Sequence, residues 1–103
     1  MKHEILQAID TFLAMSLRTD NDVVTEQFAY IKARIASPVG DETAHQNQGR
    51  KKALSLMNAK SREDIRFLFL EKDSPKPVAD KARVLARLQE RVSQVRQLIE
   101  DNY

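Results

Sequence analysis

The first apolar positions of the chain, Ile5, Ile9 and Phe12, lie four and three residues apart, with Leu6, Leu13 and Leu17 close beside them. Such spacing gathers side chains on one face of a helix, so the pattern predicts an amphipathic helix over residues 2–17. Thr19-Asp20-Asn21-Asp22 breaks it, and the short polar side chains there suit capping of the next helix. Val24, Phe28, Ile31 and Ile35 then mark a second helix over residues 22–36. Ser37-Pro38 ends it, because proline disfavours a helical residue before it. Two helices joined by a short turn predict an antiparallel hairpin.

Residues 39–49 carry Gly40, Asp41, Asn47 and Gly49 and little apolar content. They read as an exposed loop, with room for a fraying helical turn over 42–48. Helical spacing returns over residues 50–59 with Ala53, Leu54 and Met57. Ser61-Arg62-Glu63-Asp64 has the form of a new helix start, with Ser61 as cap and Asp64 reaching back. The apolar run Ile65, Phe67, Leu68, Phe69, Leu70 follows. No Pro or Gly separates the two stretches, so one helix running through Ser61 is the alternative. Asp73-Ser74-Pro75-Lys76-Pro77 is a stop and a turn. The last helix, over residues 78–101, spans roughly 35 Å at the usual rise. Its Leu85, Leu88, Val92, Val95 and Ile99 step by three and four, which makes a heptad seam, while Val84 and Leu98 widen the apolar face. A seam this short fits one helix of an intramolecular bundle. Pairing of two copies through it is the alternative.

These elements predict an all-α fold, an antiparallel four- or five-helix bundle with a long C-terminal helix, formed as one domain over residues 1–103. The expected core is Ile5, Ile9, Phe12, Val24, Phe28, Ile31, Leu54, Met57, Ile65, Leu68, Leu85, Leu88, Val92 and Val95. Composition agrees: with Gly 2 and Pro 3, turns are too scarce for a many-stranded sandwich or barrel. There is no cysteine, which removes disulfides and thiolate metal sites and fits a reducing cytoplasm. The longest early apolar run, Phe12-Leu13-Ala14-Met15, is too short for an export signal or a membrane span.

Charge changes the picture more. The formal net charge of +2 hides a division into −3 over residues 1–48 and +5 over residues 49–103. A basic C-terminal half suits an acidic protein, nucleic acid or anionic lipid at a membrane surface. Arg50, Lys51, Lys52 and Arg62, with Arg83, Arg87 and Arg91 stepping by four along the last helix, are the candidate partner-binding residues. A solvated, mixed-charge surface is the plainer account of the same residues.

Catalytic chemistry is scarce. His3 and His45 are the only histidines. His45 stands one helical turn from Asp41, but a catalytic metal usually takes three rigid protein ligands. Asp20-Asn21-Asp22 begins like a calcium loop, yet Val23 and Val24 follow where glycine and further oxygens belong. No phosphate-cradling glycine loop, nucleophile elbow or zinc-protease motif occurs. The expectation is no enzyme, no metal and no cofactor. Residues 51–70 resemble a helix-turn-helix unit, although Ala59 and Lys60 stand where a glycine and an apolar residue are usual. Glu63 and Asp64 on the second helix would meet phosphates.

Leu54-Ser55-Leu56-Met57-Asn58, then Lys72-Asp73 and the Lys81, Leu85, Leu88 stretch, together with the small size, the basic character and two short N-terminal helices, resemble the immunity proteins of pediocin-like bacteriocins. The likeness covers about a third of the chain. The stretch 39–49 and the length of the final helix depart from the family pattern. The resemblance implies a cytoplasmic four-helix bundle that recognises a bacteriocin-occupied membrane receptor, and it transfers no functional residue. The residues themselves point to a non-enzymatic protein acting through a protein partner in an immunity or regulatory role. The alternative is a DNA-binding regulator using the basic 50–66 segment.

Overall fold

The computed structural model describes residues 2–37, 42–71 and 74–102. Among these residues the chain is all-helical, with α1 (Lys2–Leu13), α2 (Asn21–Ala36), α3 (Ala44–Met57), α4 (Arg62–Glu71) and the long α5 (Val78–Asn102). One hydrophobic core runs through all five. The molecule is elongated, 45 × 22 × 18 Å.

α5 organises the rest, because α1, α3 and α4 all pack on it. Its seam residues Leu88, Val92, Val95 and Ile99 are fully buried, and Leu85 nearly so. The heptad spacing therefore faces the chain's own core. α1 runs antiparallel to α5: Lys2 Nζ donates to the Glu100 carbonyl, and Arg96 Nε meets Asp10 Oδ1 at 2.9 Å. α1 is also antiparallel to α2, tied by an Arg34–Glu4 ion pair and by Gln27 Nε2 donating to the Ala8 carbonyl at 2.9 Å. Phe12 and Phe28 meet at this interface with ring centroids 5.8 Å apart.

The first helix stops four residues before its apolar pattern does. Its exposed carbonyls find a partner far away in sequence. Gln89 Nε2 donates to the carbonyls of Phe12, Leu13 and Met15, the last at 2.9 Å. Residues 16–19 then form a turn in which Thr19 Oγ1 accepts from the Ser16 amide. Lys81 Nζ holds that turn by donating to the carbonyls of Leu17 and Thr19. Asp20 occupies the N-cap of α2 but makes no side-chain cap bond, contrary to the expected role.

Residues 44–49 are the main correction to the expected loop. α3 begins at Ala44, six residues early, because Thr43 and Gln46 form a complete capping box. Gly49 lies inside α3 and is buried against Asn102: a Cβ there would stand 2.6 Å from the Asn102 Cβ. The glycine that suggests a loop is a close approach of two helices. Val39, Gly40 and Asp41 lie outside the described residues.

α3 and α4 are two helices, not one. The chain leaves α3 at Asn58, with φ −94° and ψ −87°, and re-enters a helix at Arg62. Ser61 is fully buried at the joint, and its hydroxyl donates back to the Leu56 carbonyl at 2.7 Å. It therefore serves the end of α3, where a cap for α4 was expected. Of the expected core, Leu54 and Ile65 are only partly buried. Ala8, Ile35, Ala53, Val84 and Ile99 join the core in addition.

Candidate interaction surface

α4 carries one carboxylate inward. Asp64 is 5 % exposed and faces α5. Its Oδ1 accepts from Arg87 Nη2 at 2.7 Å and its Oδ2 from Arg91 Nη1. Burial by itself raises the pKa of this carboxyl. The hydrogen bonds from Arg87 and Arg91, together with their positive charges, outweigh burial and hold it below the usual carboxylate range. The same contact raises Arg87. Asp64 was expected to reach back as a helix-start residue; it instead binds α4 to α5.

The seven basic candidates divide by this geometry. Arg87 and Arg91 are engaged with Asp64. Arg83 stands 3.7 Å from Asp80 on its own helix. Arg50 is half-buried, with its Nε 2.9 Å from Glu42 Oε1 and a further bond to Asn47 Oδ1. Lys51, Lys52 and Arg62 are exposed on α3 and α4. The structure thus separates the group that the sequence placed together.

Arg66, absent from that group, belongs beside Arg62. Both are exposed, four residues apart on α4, and neither has a salt bridge among the described residues. Phe69 and Leu70 follow within one turn, each 52 % exposed. Spacings of three and four put Arg62, Arg66, Phe69 and Leu70 along one side of the helix. The sequence signal was present: five of the six residues 65–70 are apolar, more than one face of a ten-residue helix can bury.

A cleft of about 420 Å³ lies where α2 begins and α4 ends, lined by Asp20, Asn21, Asp22, Glu71, Pro75 and Lys81. Asn21 Nδ2 donates to the Leu68 carbonyl and to Glu71 Oε2, which fixes the amide and leaves the buried Oδ1 without a partner. The cleft offers acceptors and one ammonium group, with no histidine on its walls. Elsewhere His3 and His45 are exposed. Asp41, the suggested neighbour of His45, lies outside the described residues. Among the described residues no group of three or more His, Asp or Glu side chains is placed to hold a metal ion. No described helix is long and apolar enough to cross a membrane.

The suggested helix-turn-helix unit has a different geometry. α3 and α4 each pack on α2 and α5, along successive stretches of α5 marked by Asn102 beside Gly49 and Arg87 beside Asp64. In a helix-turn-helix the two helices cross and the second projects into a groove. No family model matches this chain, and no curated protein or solved structure is detectably similar to it.

Proposed function

We propose that this chain is a non-enzymatic binding protein that acts in the cytoplasm through a protein partner, in an immunity or regulatory role. Its architecture on this reading is an antiparallel four-layer bundle, with α3 and α4 together forming one broken layer. One observation carries the reading. Arg34, Arg50, Arg83, Arg87, Arg91 and Arg96 each have a carboxylate partner within the chain. Arg18, Arg62 and Arg66 have none among the described residues, and the last two stand beside two half-exposed large apolar side chains. Arginine and phenylalanine are among the residues enriched at protein interfaces, and apolar patches rimmed by polar residues occur there. The bacteriocin-immunity resemblance is one version of this proposal, in which the partner is a membrane receptor in its occupied state.

Co-purification of the full chain from its native host, followed by reconstitution with the purified candidate, tests the reading. A stoichiometric complex is expected. Turnover of a substrate by the purified chain, abolished by a point variant that remains folded, would overturn it. A DNA-binding regulator is the second reading, favoured by exposed Lys51 and Lys52 on α3. It requires duplex binding that falls steeply with salt and weakens when Lys51, Lys52 and Arg62 are replaced by alanine.

A further inference from the structure

The five helices are not anchored equally. α1 and α2 each sink four apolar side chains into the core and α5 sinks six, whereas α4 sinks Leu68 alone. α3 sinks Ala53 and Met57 and presses Gly49 against Asn102. Ile65 and Phe67 of α4 are only partly buried. Polar contacts hold α4 at both ends: Arg87 and Arg91 take Asp64, and the Asn21 amide takes the Leu68 carbonyl and Glu71. Water can replace such hydrogen bonds, so their release costs less than their number suggests. The other four helices enclose a core without α4. α1 packs on α2, α2 on α3, α3 on α5 and α5 on α1, a closed ring to which α4 adds contacts with α2 and α5. The chain is also non-helical on either side of α4, over residues 58–61 and over 74–77, where Pro75 and Pro77 bar a helix from continuing.

We infer that α4 is a hinged lid, which opens from the bundle as one unit while α1, α2, α3 and α5 stay assembled. The hinge on its N-terminal side follows Ser61, whose hydroxyl stays bonded to the Leu56 carbonyl of α3. Opening parts Asp64 from its two arginines and Asn21 from Leu68 and Glu71, and it draws Leu68 out of the core. It uncovers Val84 of α5, which lies three residues before Arg87 and seven before Arg91, on the side of the helix that meets α4. It also uncovers Val24, one turn along α2 from Asn21. Both valines are buried in the closed form, so the open form presents apolar surface that the closed form conceals. Segments that move in folded proteins are drawn from such weakly held units. The inference does not depend on the protein-partner reading.

The chain has no cysteine, so a single introduced thiol reports without background. Two full-length variants carry the same mild substitution. Val84→Cys lies under α4; Val95→Cys lies seven residues before Asn102, on the stretch that α3 covers. Labelling with N-ethylmaleimide in native buffer, read by mass spectrometry and divided by the rate in urea, measures how often each site is uncovered. Val84→Cys should be labelled about tenfold faster than Val95→Cys, or more. Asp64→Asn should accelerate both by about fivefold or more, because both openings release Asp64. Ile5→Val, at the far end of α1, decides between a lid and a whole-core opening. It should accelerate Val95→Cys about twofold to tenfold and leave Val84→Cys unchanged. Equal rates at the two thiols, equal acceleration of both by Ile5→Val, or indifference of Val84→Cys to Asp64→Asn overturns the inference. If either cysteine variant fails to fold, hydrogen exchange of the unaltered chain reads the same event. The amides of residues 66–70 should exchange together and faster than those of residues 92–99, and Ile5→Val should accelerate the second group alone. Exchange of both groups at one rate, or exchange graded inward from the ends of α4, would count against the lid.

Discussion

Two arginine pairs with the same four-residue spacing meet opposite fates in this chain. Arg87 and Arg91 on α5 share the buried carboxylate of Asp64, while Arg62 and Arg66 on α4 face outward beside Phe69 and Leu70. The difference lies in what the neighbouring helix presents. α4 turns its aspartate toward α5 and its arginines away from it. Like charges one turn apart therefore carry no meaning of their own: a third residue decides whether they are a structural clamp or an open surface. The inward side of α4 should be costly to change and the outward side cheap.

The largest expected effect sets two leucines of α4 against each other. Leu68 is 1 % exposed and Leu70 52 %. Leu68→Ala should cost about 2–4 kcal/mol in urea denaturation, and Leu70→Ala no more than about 0.5 kcal/mol. Comparable losses would mean that α4 has no outer side.

Asp64→Asn comes next. It keeps the shape, removes the charge that two arginines share, and should cost about 1–3 kcal/mol near neutral pH. The sign with pH follows from the lowered pKa of Asp64. Its contribution is complete above the ordinary carboxylate range and is lost as pH falls through the depressed value. Wild type and Asp64→Asn should therefore converge in strongly acid solution. A gap that stays constant on acidification would show that the contact depends on shape alone.

Gly49→Ala is the intermediate case. Helix propensity alone would stabilise α3 by about 1 kcal/mol. The new Cβ would stand 2.6 Å from the Asn102 Cβ, so α5 must shift. We expect a net loss of about 1 kcal/mol, recovered when Asn102→Gly is added. Stabilisation by the single substitution would show that the two helices separate easily. The smallest effect belongs to Arg62→Glu with Arg66→Glu, within about 0.5 kcal/mol of wild type in the same denaturation. A larger loss would mean that these arginines are structural after all, like their counterparts on α5.

The helices that bury one clear stripe were legible from spacing. α2 ends at Ala36 where Ser37-Pro38 requires it, and the seam of α5 from Leu85 to Ile99 is buried throughout. What escaped was whatever depended on a distant partner. Nothing local announces that α1 stops at Leu13, since the group that satisfies its last carbonyls is Gln89. Gly49 carries no mark distinguishing a loop from a close helix contact until Asn102 is placed beside it. Asp64 and Ser61 share a stretch with the form of a helix start, and both side chains serve other helices instead. At the candidate surface, the basic residues were visible as a set, but their division into engaged and open was not. Arg66 was visible only as the end of the basic 50–66 segment, because the apolar surplus beside it is what sets it with Arg62.

The clamp that Gln89 and Lys81 place on residues 12–19 has a consequence in time as well as space. Each of those hydrogen bonds joins positions between 62 and 77 residues apart. Contacts so remote form late, because the chain between them must first be ordered. During synthesis α1 through α4 leave the ribosome with their common apolar lining uncovered, and the stop of α1 stays undefined until the middle of α5 has emerged. Up to that moment the nascent chain offers the kind of surface that chaperones hold and proteases cut. A messenger cut short within α5 should therefore yield a product that is cleared, with no partly working protein left behind.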